Sequence, residues 1–170
     1  MSFDFEPIKH KDLKFLQNNL DKARSDITKS KKEQKLSAVL SFVNHAEYIT
    51  RDLLRNLRRM TKITMYQNFE RSFFWPVDEE KGLKSISLGK AISKLEEFSF
   101  PDKKEFIELL KKLNKKRIKL IHKMLDEPMI INDLSDKIQD DFENIFVRYR
   151  AIQDAMREKW PYIKALPPKK

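Results

Sequence analysis

Apolar residues recur three and four positions apart along most of the chain, the pattern of helices that bury one face. This pattern predicts five helices, over about residues 9–30, 33–60, 85–98, 106–125 and 135–160. The second and the last are the longest, and their apolar stripes run from Leu36 to Met60 and from Ile138 to Met156. The fold predicted from these elements is all-α, a single antiparallel bundle of about five helices.

The segments between these helices contain the turn and capping signals. Ser87 is a predicted N-cap, and Asp102 is a second one, with Glu105 at the capping-box position. Pro161 is predicted to end the last helix. No repeat or domain boundary is evident, so residues 1–170 form one predicted domain. It has an N-terminal arm (1–8) and a C-terminal tail (163–170).

Residues 61–85 are the least regular part of the chain and contain a cluster of aromatic side chains. Its members are Tyr66, Phe69, Phe73, Phe74 and Trp75. Such a cluster is typical of side chains that close the end of a helical bundle. The alternative is a platform on which RNA bases stack.

Composition narrows the class of protein. Two glycines in 170 residues and 36% charged residues favour long helices over a sheet fold. The absence of cysteine excludes disulfides, thiolate nucleophiles and cysteine-based metal sites. No apolar run approaches the ~18 residues of a membrane span. The first residues lack the pattern of a secretory signal, so we expect no membrane association and a cytoplasmic location.

The fourth predicted helix has an anomaly in its apolar stripe. Arg117 occupies the stripe position between Leu113 and Leu120. A guanidinium there needs a partner, and a carboxylate that accepts paired hydrogen bonds suits it best. Glu47 borders the apolar side of the second helix, so we predict that it pairs with Arg117. The alternative is that Glu47 is an ordinary half-exposed helical glutamate.

The charge of the chain suggests a polyanionic partner. The net charge is +10, and the segment from residue 102 to 123 alone has nine Lys or Arg against three Asp or Glu. RNA is the predicted partner of this segment, with Lys111, Lys115, Lys119 and Lys123 as the RNA-binding residues. The alternative is a lysine-rich surface that only keeps the protein soluble.

Most catalytic signatures are absent. The sequence has no glycine-rich phosphate loop and no HExxH motif, and its three histidines lie on different predicted segments, so we predict no metal site and no cofactor. The remaining candidates are Arg117 and His122. Metal-independent RNA cleavage needs only these two types of group. A histidine transfers the proton of the 2′-hydroxyl nucleophile, and an arginine stabilises the phosphorane.

The spacing of the two residues complicates this chemistry. At about 100° per residue, Arg117 and His122 lie roughly 140° apart around one helix. Arg117 therefore faces the stripe, whereas His122 lies nearer the polar side with Lys115 and Lys119. One helix brings the two together poorly, so a catalytic site of this kind favours a homodimer in which each copy supplies its own pair.

The stretch Arg117-Ile-Lys-Leu-Ile-His122 resembles the R-x4–6-H motif of the HEPN domain family. Leu113 and Asn114 before it, the preceding segment LGKAISKLEEF and the long helix with Glu47 also fit, and the resemblance spans residues 36–162. It implies an all-α bundle that dimerises, with Arg117 and His122 as a catalytic pair in a shared cleft. Many HEPN members cut RNA in toxin–antitoxin or phage-defence systems, which implies a cognate antitoxin as a partner.

The motif departs from the family at one position. Active members usually have a polar residue after the arginine, and here it is Ile118. Asn114, one turn before the arginine, is the polar side chain that could support the pair. Two alternatives therefore stand beside the endoribonuclease. One is a HEPN-like module that binds RNA or protein without cutting, and the other is a helical adaptor in which Arg117 only makes an ion pair.

Overall fold

The computed structural model describes residues 10–29, 31–68, 83, 86–124 and 126–165. Their regular structure is five α-helices and no strand. The helices are α1 (His10–Ile27), α2 (Lys32–Asn68), α3 (Leu88–Leu95), α4 (Lys103–Lys123) and α5 (Ile130–Ala165). The predicted all-α bundle is confirmed.

The two long helices, α2 and α5, pack along each other and form the centre of the bundle. Helix α1 packs mainly on α2, α4 packs mainly on α5, and the short α3 joins α2 to α4. Phe42 and Phe142 are fully buried between α2 and α5, with ring centroids 5.3 Å apart. Burying rings of this size is the main favourable contribution to folding, at about 1.5–3 kcal/mol each.

The predicted apolar stripes are the residues that form this core. Along α5 every stripe position is buried: Ile138, Phe142, Ile145, Tyr149, Ile152 and Met156. Along α2 the buried stripe positions include Val39, Val43, Ala46, Leu53 and Leu57. The three-and-four spacing therefore identified the inner faces correctly, because each of these helices has only one side turned to the bundle.

The predicted ends of the helices needed correction. Helix α2 continues to Asn68, so the first part of the supposedly irregular segment is helical. Helix α5 begins at Ile130 rather than Ser135, because Ile130 and Leu134 are buried and add an apolar turn at its start. Helix α5 also continues past Pro161 to Ala165, so the prediction that this proline ends the helix is wrong.

Several predictions concern residues outside the described part of the chain. These are the N-terminal arm (1–8), most of the aromatic segment (69–82) and the last five residues of the tail (166–170).

The start of α4 differs from the predicted capping box. Asp102 is the N-cap residue, but its φ of 53° is left-handed and its side chain makes no capping hydrogen bond. Glu105 turns instead to Arg148 of α5, whose Nη1 lies 2.5 Å from Glu105 and 3.8 Å from Asp102. Two carboxylates that were predicted to cap α4 therefore bind it to α5. Ser87 is the N-cap of α3, as predicted, but it also lacks a side-chain capping bond.

A buried carboxylate joins α2 to α5. Oδ2 of Asp52 accepts hydrogen bonds from Tyr149 (2.6 Å), Asn56 (3.0 Å) and Gln153 (3.3 Å). Burial raises the pKa of Asp52, and the hydrogen bond from Tyr149 and the nearby Arg55 partly oppose that rise. The pKa of the Tyr149 hydroxyl is raised as well, by burial and by the adjacent carboxylate. Both groups therefore hold their protons more tightly in the folded protein than in the unfolded chain.

We predict that Asp52 makes the protein less stable as the pH rises. Its folded pKa is raised above the unfolded value of about 3.9, so the folded state binds this proton more tightly. The free energy of unfolding of the wild type should therefore fall relative to that of Asp52→Asn as the pH rises from about 4 through the folded pKa. Urea unfolding at a series of pH values measures this difference. A difference that does not change with pH would contradict the prediction.

Candidate functional site

Arg117 lies in the apolar face of α4, at the margin of the core. Leu113 and Leu120, its neighbours on that face, are buried, whereas the Arg117 side chain is 28% exposed. The long aliphatic part of an arginine can pack among apolar residues while the guanidinium reaches a partner or water. Arg117 therefore interrupts the apolar stripe of α4 while its guanidinium stays partly exposed to water.

The partner of Arg117 is the predicted one. Its Nη2 lies 3.3 Å from Oε1 of Glu47, which confirms the predicted ion pair between α4 and α2. The other carboxylate oxygen, Oε2, accepts a hydrogen bond from Nη2 of Arg51 at 3.2 Å. Arg51 also donates to the carbonyl of Ile86, from Nε at 3.1 Å and from Nη2 at 2.7 Å. We call Arg51, Glu47 and Arg117 the arginine–glutamate cluster.

The arginine–glutamate cluster keeps a positive charge. Two guanidinium groups share one carboxylate, which gives a formal charge of +1. Glu47 is 15% exposed and the two arginines are 28–29% exposed, so water screens the attraction in part. No described residue makes a hydrogen bond to Arg117, because its approach to Glu47 is a close ion pair without hydrogen-bond geometry. The N–H groups of Arg117 therefore remain able to bind an anion.

Asn114 lies one turn before Arg117, on the side of α4 that faces α3. Its Oδ1 is buried and has no hydrogen-bond partner in the described part of the chain. An added Cβ at Gly89 would lie 3.5 Å from Nδ2 of Asn114, an ordinary contact distance. Helix α3 thus begins against Asn114, and Gly89 permits this approach without being required for it.

His122 is exposed and lies on a different side of α4 from Arg117. Among the described residues it makes no hydrogen bond and no ion pair. The roughly 140° between the two positions holds in this straight run of helix. The structure therefore does not bring Arg117 and His122 together within one chain.

The predicted RNA-binding lysines fall into two groups. Lys111 pairs with Glu96 at the end of α3 (2.5 Å), and Lys123 pairs with Glu127 (2.8 Å). Lys115 and Lys119 are exposed, and neither makes an ion pair with a described residue. The charge of this pair is thus available to a ligand.

Two further lysines of α4 were not singled out from the sequence and point towards α5. Lys112 and Lys116 lie 3.1 and 2.6 Å from the carboxylate of Asp141, which is only 2% exposed. Lys116 lies at the buried carboxylate, whereas Lys112 reaches it from the surface and is 60% exposed.

The surface of α4 between Arg117 and His122 is apolar. Ile118 and Ile121 are 46% and 47% exposed, although each lies beside a core position. Helix α3 covers α4 near Asn114 but has only eight residues, so it does not reach these isoleucines. We call Lys115, Ile118, Lys119, Ile121 and His122 the open face of α4. The exposure of Ile121 was not predicted, because its spacing along the helix is that of a buried residue.

The described residues contain neither a metal-binding group nor a helix suited to a membrane. Within the described ranges, no group of three or more His, Asp or Glu side chains is placed to hold a metal ion. The described helices also include none with the length and hydropathy needed to cross a membrane.

Comparison with protein-family models, with curated proteins and with solved structures gives no match to this chain. The HEPN resemblance consequently rests on the sequence motif and the helical segments around it.

We predict a measurable coupling between Glu47 and Arg117. In a double-mutant cycle of Glu47→Gln and Arg117→Met, the coupling energy should be about 1 kcal/mol, because both side chains are half-shielded but still hydrated. The same cycle on Lys123 and Glu127, an exposed pair one turn apart, is the matched control and should give about 0.3–0.5 kcal/mol. Urea unfolding at low and high salt measures both. Equal coupling in the two cycles would show that the cluster contributes no more than a surface pair.

Proposed function

We propose that the protein is a metal-independent endoribonuclease of the HEPN type that acts as a homodimer, with Arg117 and His122 as its catalytic pair. The observation that carries this proposal is the open face of α4. It presents an exposed histidine beside two unpaired lysines, and it borders an arginine whose N–H groups are unused. A role in a toxin–antitoxin or phage-defence system, with a cognate antitoxin, follows from the HEPN resemblance, and the proposed cytoplasmic location follows from the sequence pattern of the first residues.

The open face has the charge needed to bind an RNA backbone. Lys115 and Lys119 lie one helical turn apart, close to the spacing of successive phosphates in an extended strand. Since neither lysine makes an ion pair with a described carboxylate, binding of RNA releases counterions without first breaking an ion pair. Lys111 and Lys123 would have to leave Glu96 and Glu127 in order to contribute equally.

The proposed chemistry assigns one role to each residue. His122 removes the proton from the 2′-hydroxyl, whose oxygen attacks the adjacent phosphorus. The bond from phosphorus to the 5′-oxygen of the next nucleotide then breaks, and that oxygen takes a proton from the imidazolium of His122, which leaves a 2′,3′-cyclic phosphate. Arg117 donates hydrogen bonds to the non-bridging oxygens as negative charge develops on them. Glu47 positions Arg117, because the ion pair fixes the guanidinium at the edge of the open face.

A second copy of the chain would bring a histidine close to the arginine, which a single α4 does not do. Arg117 and His122 diverge around α4, and the surface between them consists of Ile118 and Ile121. Packing of two open faces would bury these four isoleucines and place the His122 of one copy near the Arg117 of the other. Exposed apolar side chains flanked by charged ones are typical of such interfaces.

A non-cleaving RNA- or protein-binding module is the second candidate function. The observation that favours it is Ile118, which is exposed in the position where active HEPN members have a polar side chain. An aliphatic group there can neither orient the imidazole nor donate to a phosphate.

The cleavage experiment separates these two functions. Wild type should cut single-stranded RNA in EDTA, and Arg117→Ala and His122→Ala should each reduce the rate by about 10²–10⁴-fold. DNA of the same sequence should be bound but not cut, because it lacks the 2′-hydroxyl. Val147→Ala, which removes an exposed side chain on α5, is the control. Salt-sensitive RNA binding without cleavage by wild type would favour the binding module.

The dimer is tested separately. Ile121→Asp should convert the dimer to a monomer, because it puts two carboxylates into an apolar interface. Ile121 is 47% exposed, so the fold should survive, and Val147→Asp at a 66% exposed position is the matched control. Sedimentation equilibrium measures the mass of each. A monomeric wild type would rule out the shared catalytic site.

A further inference from the structure

The arginine–glutamate cluster has more hydrogen-bond donors than its one carboxylate accepts. Arg51 donates from Nε and Nη2 to Ile86 and Glu47, so the N–H groups of its Nη1 have no acceptor among the described residues. Arg117 approaches Glu47 without a hydrogen bond, so its N–H groups are unused as well. None of the buried, unpartnered polar atoms of the described residues belongs to either arginine. The unused donors are therefore accessible to a ligand from solvent.

Another arginine between two helices has no such excess of donors. Arg24 donates from Nε and Nη2 to the two oxygens of Glu143 at 2.7 and 2.8 Å, and from Nη1 to Asp21 at 2.9 Å. Its side chain is 32% exposed, close to the 28–29% of the two arginines in the cluster. Here one guanidinium serves two carboxylates, whereas in the cluster two guanidinium groups share one. The two sites therefore have opposite net charges at similar exposure.

The carboxylate of Glu47 shows what kind of group fits between the two arginines. One of its oxygens lies 3.2 Å from Nη2 of Arg51, and the other lies 3.3 Å from Nη2 of Arg117. A phosphodiester resembles a carboxylate in this respect, because it spreads one negative charge over two oxygens bonded to the same atom. Guanidinium groups bind carboxylate and phosphate through the same paired N–H geometry. A phosphate on the solvent side of Glu47 therefore suits both arginines.

We propose that Arg51 binds the same RNA phosphate as Arg117, and that Glu47 is the counter-ion of this phosphate site. The inference rests on the proposed function, in which Arg117 donates to the non-bridging oxygens, and it adds a second donor from α2. The formal charge of +1 on the cluster is neutralised by the single charge of one phosphodiester. An anion with this charge uses the free N–H groups without displacing Glu47 from either arginine.

Arg51 is ordered before any RNA binds. The carbonyl of Ile86 accepts hydrogen bonds from its Nε at 3.1 Å and its Nη2 at 2.7 Å, which fixes the plane of the guanidinium. A side chain that is already held in one conformation loses less entropy when it binds a ligand. Nη1 is the remaining nitrogen, so it is the atom that we assign to the phosphate. Arg51 then binds RNA in addition to holding the chain before α3.

RNA affinity in two opposite variants tests this assignment. A 2′-O-methylated RNA octamer, which has no nucleophile for cleavage, is titrated at about 0.15 M salt, where charges more than ~8 Å apart are largely screened. Arg51→Met should weaken binding about 10-fold, because a charge-assisted hydrogen bond to phosphate is lost. Glu47→Gln should strengthen it about 5-fold, because the competing carboxylate is removed.

The opposite signs separate phosphate binding from a structural role. Both variants break the same contact between Arg51 and Glu47, so a purely structural contact predicts weaker binding by both or no change in either. Arg24→Met and Glu143→Gln make the same two charge changes at the other site and should each stay within about 2-fold of wild type. Effects at the cluster no larger than these controls, or of the same sign in both variants, would overturn the inference.

Titration of the wild type with inorganic phosphate needs neither RNA nor a variant. The Nε–H groups of Arg51 and Arg24 are hydrogen-bonded to Ile86 and Glu143, which slows their exchange with water and makes their NMR signals observable. The Arg51 signal should shift as phosphate is added, whereas the Arg24 signal should not. An Arg51 signal that stays in place, or that moves no more than that of Arg24, would overturn the phosphate site.

The two experiments distinguish failure of the inference from failure of the proposed function. If RNA binds and Arg117→Met weakens binding, but Arg51→Met has no more effect than Arg24→Met, the proposed function stands and the inference falls. If the wild type neither binds nor cuts RNA, the proposed function falls. The phosphate site is then supported or overturned by the Arg51 signal in the titration with inorganic phosphate.

Discussion

One carboxylate shared by two arginines joins α4 to α2 at the margin of the core, while the buried apolar face of α4 holds the helix against α5. Glu47 contacts Arg117 of α4 with one oxygen and Arg51 of its own helix with the other, and Arg51 continues to the carbonyl of Ile86 before α3. Three segments of the chain therefore meet at one side chain. Because the cluster has a net positive charge and lies at the margin of the core, it can hold α4 and still attract an anion. The same geometry serves stability and the proposed chemistry.

The lysines of α4 show why total charge is a poor guide to a binding surface. Lys112 and Lys116 neutralise the buried Asp141, and Lys111 is paired with Glu96. Lys115 and Lys119, like Lys104 at the start of the helix, are exposed and make no ion pair with a described residue. A helix with a large excess of basic residues thus has a small basic face. The sequence alone does not show whether a given lysine neutralises a carboxylate of the bundle or is available to bind a ligand.

Much of the fold and one contact of the site were accessible from the sequence. The spacing of apolar residues predicted five helices and the inner faces of α2 and α5, since a helix in a bundle has one buried side. The interruption at Arg117 and the placement of Glu47 at the core border were enough to predict their ion pair. These predictions succeeded because each depends on the register of a single helix.

The features that were not predicted from the sequence depend on contacts between different segments of the chain. Arg51 became a second partner of Glu47 because the chain before α3 presents a carbonyl to it. Asp102 failed as a cap because its backbone is left-handed, which no residue pattern specified. Ile121 is exposed because α3 is too short to cover it, and periodicity within α4 cannot reveal the length of a neighbour.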